Sequence, residues 1–233
     1  MNEALFFASI IFYFTVMLIA FKLFGKTGLY IWIAFAMIMA NIEATKMVDM
    51  FGFSVTLGNV IYGSTFLATD IISEHYGKKA SQRTVLIGFF ALLTFTGGTQ
   101  LALAFVPNVE DFVNPAFQTI FSFAPRLALA SVVTYVTMQL VDIWLYHLIR
   151  QKTRGRFLWL RNTVATLTAQ FLDSACFTLL AFWGVFSNSL VIELIFTTYL
   201  MKFMVAILDT PFVYLARSFK TFNILGADNG SGA

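Results

Sequence analysis

Seven stretches of about twenty residues run along this chain with scarcely a charge among them, and that is the length a helix needs to cross the hydrocarbon core of a bilayer. They read as Ala4–Phe21, Leu29–Val48, Val55–Ser73, Val85–Val106, Arg126–Ile149, Thr163–Phe186 and Leu190–Ala216. Inside a bilayer every backbone N–H and C=O must be paired within the protein, which leaves helices or a closed barrel. Barrel strands would alternate in units of about ten residues, whereas these runs are continuous and twice as long. Only 12% of the 233 residues are charged, about half the share of a water-soluble domain, and 59% are hydrophobic. The chain is expected to be an all-α integral membrane protein, a single bundle of about seven transmembrane helices with no separate soluble domain.

Lys22 and Lys26, then Lys78, Lys79 and Arg83, then Arg150, Lys152, Arg154, Arg156 and Arg161, then Arg217 and Lys220 fall at alternate ends of the spans, and they make up 12 of the 15 basic residues. The excess of Lys and Arg in cytoplasmic loops then puts the N-terminus outside and the C-terminus inside. The opposite loops carry Asp49, Glu110, Asp111 and Glu193. The basic balance reports topology and contact with anionic lipid, and nucleic acid is not an implied partner. The first span has no basic residues before it and no A-x-A-like cleavage site, so it reads as a retained, lipid-facing, peripheral helix. One cysteine, Cys176, rules out an internal disulfide. Residues 218–233, ending GADNGSGA, read as a disordered cytoplasmic tail.

The polar residues within these runs carry the functional content. Asp70 closes an apolar run, and helical spacing back from it collects Phe66, Gly63, Asn59 and Thr56 on one face. A carboxyl group in a membrane span costs about 2.5–3.5 kcal/mol on insertion scales, so it faces a bundle interior, either marking a substrate or ion path or fixing helix packing. The pattern recurs. The fifth span aligns Tyr135, Gln139, Asp142 and Tyr146; the sixth aligns Thr166, Gln170, Asp173, Ser174 and Phe177; the seventh aligns Thr198, Lys202 and Asp209, ahead of a helix-loosening Pro211. Four buried acids and one buried base would cost on the order of 10 kcal/mol with nothing gained. They therefore predict a polar interior, in which an ion pair of Lys202 with Asp209 or a facing Asp is one structural outcome. Acids, amides and aromatics together suit a neutral, flat, hydrogen-bonding ligand better than a bare ion.

Other features leave alternatives open. Ala36, Ala40 and Ala44 offer a small-residue face for close helix approach. Asn41, Glu43 and Lys46 lie in the outer half of the second span, where Lys46 either snorkels or acts. His75 at the loop mouth reads as solvated rather than as a proton relay. TGGTQ at Thr96–Gln100 is either a helix break or a packing point. Asn114 and Pro115 open an interfacial helix in preference to a moving lid, followed by Phe117, Ile120, Phe121 and Phe123.

STFLATDIISEHYGKK, RLALAS followed by QLVD, RNTVATLTAQFLDSACFTLLAFWG and YLMKFMVAILDTP resemble the queuosine precursor transporter family, also called the vitamin uptake transporter family, over about Ile33 to Ala216. The resemblance implies bacterial uptake across the inner membrane of 7-deazaguanine bases, 7-cyano- or 7-aminomethyl-7-deazaguanine and in some members queuine, for tRNA modification. It implies six shared spans in residues 29–217 and an added N-terminal helix in 1–28. The family's Asn and Lys fall on Asn41 and Lys46, and its FLATD-type Asp on Asp70. Its Arg, Gln and Asp fall on Arg126, Gln139 and Asp142, and its last Asp and Lys on Asp173 and Lys202. Chemistry is in keeping with it: a guanine-like edge has two adjacent N–H donors that one carboxylate accepts, and a carbonyl that Lys202, Asn59 or Gln170 can meet. No cofactor or metal is implied, and a homo-oligomer is compatible with the pattern. Two other function classes compete with a stand-alone carrier. One is a substrate-capture subunit energised by a separate ATPase, since no Walker motif is present; the other is an intramembrane enzyme, for which no H-E-x-x-H, G-x-S-x-G or Cys/His set exists.

Overall fold

Tyr13 donates a hydrogen bond to the carboxylate of Glu43, 30 residues on, a separation that would be about 45 Å along a straight helix. In the computed structural model, which describes residues 1–43, 46–121, 125–184 and 187–219, helix α1 (Asn2–Glu43) therefore folds back on itself. The reversal is at Gly25, whose φ of 58° and ψ of −139° suit a residue without Cβ. Its two arms are the first two expected spans, with Lys22 and Lys26 flanking the break.

A short antiparallel hairpin follows, β1 (Met47–Met50) and β2 (Phe53–Thr56), pairing Met47 with Thr56 and Met50 with Phe53. Phe51 and Gly52, both at positive φ, form a two-residue turn whose twist matches the strands. The central helix α2 (Asn59–Tyr76) comes next, and a turn at Gly77 leads into α3 (Lys78–Leu103). The chain continues through α4 (Asn114–Phe121), α5 (Pro125–Lys152), α6 (Leu158–Phe182), α7 (Asn188–Leu208) and α8 (Thr210–Arg217). Pro211, which has no N–H, accompanies the break between α7 and α8 at Asp209.

Among the described residues, five helical segments are long and apolar enough to cross a membrane: Asn2–Glu43, Lys78–Leu103, Leu129–Lys152, Leu158–Leu180 and Val191–Arg217. With α1 folded into two arms and α2 among them, they match the seven expected spans. Helix α2 falls short on hydropathy because it is the polar centre of the bundle: every residue from Gly63 to Ser73 is buried. Its Gly63 lets α7 approach, since a Cβ there would lie 2.6 Å from Val205 Cγ1. Leu86 and Phe90 on α3, Ile192 and Phe196 on α7, and Leu5 and Ile11 on α1 remain exposed, a surface that lipid would cover.

One end of the bundle is basic. The Lys26 ammonium lies 5.2 Å from the Tyr76 ring centroid and Lys22 lies 5.7 Å from that of Phe219. Lys78, Arg150 and Arg154 line a single shallow cavity of about 440 Å³. The alternation read from the sequence is thus a spatial segregation.

Several expectations need correction. The first arm is not merely peripheral: Phe6, Ile10, Phe14, Met17 and Phe21 are buried, and Phe14 packs edge-on against Phe212 of α8 at 5.0 Å. Val55 and Thr56 belong to β2, so the Asp70 stripe begins at Asn59. Lys46 lies beyond the end of α1 and is exposed. Gly97 and Gly98 neither break α3 nor pack closely, because a Cβ on either would meet nothing within 4 Å. His75 is exposed, as expected, in the last turn of α2, with its ring 5.1 Å from that of Phe21. Helix α4 forms as expected, with the Asp111 carboxylate accepting the N–H groups of Val113 and Asn114. Ala36 and Ala40 are buried as a small-residue face should be. Ala44, Phe123 and the tail from residue 220 lie outside the described residues.

Candidate binding site in the bundle core

The inward stripes of α2, α5, α6 and α7 meet in three levels. Nearest the acidic end, the Lys202 ammonium on α7 donates to Asp173 Oδ2 on α6, and Tyr62 on α2 donates to Asp173 Oδ1 at 2.7 Å. Lys202 also sits 5.0 Å from the Tyr62 ring centroid. Tyr62 in turn packs edge-on against Phe66 and Tyr135, so an aromatic wall flanks the ion pair. The choice left open for Lys202 is resolved in favour of Asp173.

At the middle level Gln139 of α5 donates to Thr69 at 2.5 Å, and Thr166 of α6 donates to Asp70 at 3.2 Å. Asn162 donates to Asp209 at 2.9 Å. Asp70, Asp142 and Asp209 share this region with no cation bonded to any of them among the described residues.

The third level closes the basic end. Arg161, only 1% exposed, reaches Glu74 at 2.5 Å, the Gly155 carbonyl at 2.8 Å and the Tyr146 hydroxyl at 3.3 Å. Tyr146 donates to Glu74 at 3.0 Å, and Arg217 and Arg150 stand 3.7 and 4.0 Å from the same carboxylate. Sequence reading counts Arg161 among the basic residues of a cytoplasmic loop and singles out His75, not the neighbouring Glu74, at the loop mouth. The burial of Arg161 and Glu74 could have been suspected from Asn162, which extends the Thr166–Gln170 stripe one turn back.

Of the ten sequence-derived candidates, six converge here: Asp70, Gln139, Asp142, Gln170, Asp173 and Lys202 are all buried. Asn59 is buried near the acidic end, whereas Asn41 donates to the Met37 carbonyl of its own helix. Asn59 and Lys46 instead line a separate cavity of about 370 Å³. Arg126 lies in the first turn of α5, and its side chain is outside the described residues. Tyr62 and Asn162 were missed as site residues, although Tyr62 lies one turn before Phe66 of the Asp70 stripe; Thr166 was already on the stripe of the sixth span.

Among the described residues the core also holds polar atoms with no partner: both amide atoms of Gln170, Gln139 Oε1, Ser174 Oγ, Asn162 Oδ1 and one oxygen of Asp70. A buried unpaired polar group costs about 1–3 kcal/mol, so a concentration of them at the centre of four helices marks where a polar ligand or water belongs. Among the described residues no group of three or more His, Cys, Asp or Glu is arranged to hold a metal ion.

The comparisons agree with this architecture. Residues 56–216 match the family described as putative vitamin uptake transporter. A probable queuosine precursor transporter from Bacillus subtilis (strain 168) is 40% identical over 214 residues, covering 91% of this chain and 93% of that protein. A queuosine precursor transporter from Escherichia coli (strain K12) is 27% identical over 136 residues, 58% of this chain and 59% of its own length. No solved structure matches the chain. A multi-pass helical bundle with a polar core, matched over most of its length, belongs to the putative vitamin uptake transporter family.

Proposed function

We propose that this chain imports queuosine precursors, 7-deazaguanine bases such as the 7-cyano and 7-aminomethyl forms, as a stand-alone carrier whose basic end faces the cytoplasm. The observation that carries the reading is the set of buried polar groups on Gln170, Ser174 and Gln139 with no partner among the described residues, in the same bundle core as the Tyr62–Tyr135 ring pair. A flat base offers both edges for hydrogen bonding and a π-face for the aromatic wall. The names of the two relatives support the same solute class. Alternating access then requires the acidic-end pair Asp173–Lys202 and the basic-end cluster around Glu74 to open in turn.

In proteoliposomes holding the purified chain alone, labelled 7-cyano-7-deazaguanine should exchange by counterflow and accumulate under an imposed ion gradient. Intact binding with neither counterflow nor uptake would move the chain to the capture-subunit class. No binding of any deazaguanine would remove the solute assignment. Orientation is checked separately: reporter fusions at the two ends should report opposite faces, the C-terminal one cytoplasmic. Both on one side would mean an even number of crossings and overturn the seven-span topology.

A further inference from the structure

The cavity of about 370 Å³ at the acidic end lies outside the core cluster just described. Its wall is the first arm of α1, contributing Ser9 and Tyr13; its rim is the hairpin; Glu43 closes the second arm and Lys46 follows it. Asn59, Val60 and Met201 also line it. Met201 and Val60 put the cavity at the same height along α7 and α2 as Lys202 and Tyr62. Its size is that of a small-molecule site.

Glu43 is the group in it that needs explaining. It is half-buried, and one oxygen, Oε1, accepts the Tyr13 hydroxyl. No cation pairs with it among the described residues. A carboxylate held by one neutral donor in the wall of a cavity is an acceptor for a neutral ligand carrying two adjacent N–H groups. The Asp173 carboxylate is the more crowded of the two, because the Lys202 ammonium bonds one of its oxygens and Tyr62 the other.

We propose that this cavity is a first docking site for the base, in which Glu43 accepts the ring N–H and exocyclic amine of a 2-amino-4-oxo pyrimidine edge, with Lys46 and Asn59 placed to meet its carbonyl. The inference rests on the solute class proposed above and assigns to Glu43 the selection of the amine. It also gives the first arm of α1 a task, since Tyr13 orients the carboxylate.

The test compares 7-deazaguanine with 7-deazahypoxanthine, which lacks the amine, on the detergent-purified full chain. The wild type should bind the first about tenfold or more tightly than the second. Glu43→Gln should bring the ratio within about twofold. Tyr13→Phe should leave most of it, because the carboxylate remains. A preserved ratio in Glu43→Gln, with an unchanged melting temperature, overturns the proposal while leaving the solute class standing. Should Glu43→Gln not fold, carbodiimide labelling of wild-type Glu43, read by mass spectrometry, decides: protection by 7-deazaguanine and not by 7-deazahypoxanthine supports the site, and equal labelling overturns it. A wild type that binds neither base overturns the solute class and this site together.

Discussion

Asp173→Asn and Lys202→Met should each lower the unfolding free energy by about 3–5 kcal/mol, and the double substitution should recover most of that loss. The reason is burial. Asp173 and Lys202 are 3% and 5% exposed, so removing one leaves the other charged and unpaired in a medium that cannot solvate it. Removing both leaves only the Tyr62 hydroxyl to rehouse. Asparagine keeps the shape of the aspartate and still accepts from Tyr62, which isolates the charge as the cause. Thermal unfolding in detergent of the four proteins in the cycle is the measurement; single variants as stable as the wild type would mean that the pair is hydrated in solution. Transport separates the two roles of the pair. The refolded double variant should bind and move no deazaguanine if the pair lines the path, and should transport normally if it only joins α6 to α7.

Arg161→Met should cost about 3 kcal/mol, and Arg217→Met at most about 1 kcal/mol, although both arginines approach the same Glu74 carboxylate. Arg161 is buried and makes three kinds of contact, to a carboxylate, a carbonyl and a hydroxyl, whereas the Arg217 side chain is 56% exposed at 3.7 Å. Water already solvates Arg217 and screens its pairing; it does neither for Arg161. Arg150 and Arg217 remain near Glu74 after the change, which keeps the loss toward the lower end of the range for a broken buried pair. Equal losses from the two substitutions, measured by the same unfolding assay, would show that Glu74 sits in water rather than sealing the basic end.

How much of the core was legible follows from what helical periodicity can carry. Asp142, with Tyr135, Gln139 and Tyr146, was placed on one buried face of α5 by spacing alone, and all four are buried. Thr56 was misplaced by the same rule. A periodicity of 3.6 says nothing about where the helix starts, and the positive φ at Phe51 and Gly52 turned residues 47–56 into a hairpin. Lys46 moved with it, from the outer half of a span to the lip of a cavity.

The number of spans, their helical nature and the gathering of basic residues at one end follow from composition along the chain, because the bilayer imposes length and hydrophobicity on each span separately. Partnership does not follow. Lys202 had Asp209 seven residues away on its own stripe, yet pairs with Asp173 on a different helix, and Asp209 takes Asn162. The hidden Arg161, the inward face of the first arm and the Glu43 cavity were decided in the same way. Each depends on which helices stand side by side and at what height. That is set by close approaches such as Gly63 to Val205 and by the reversal at Gly25, contacts between distant parts of the chain that no local pattern encodes.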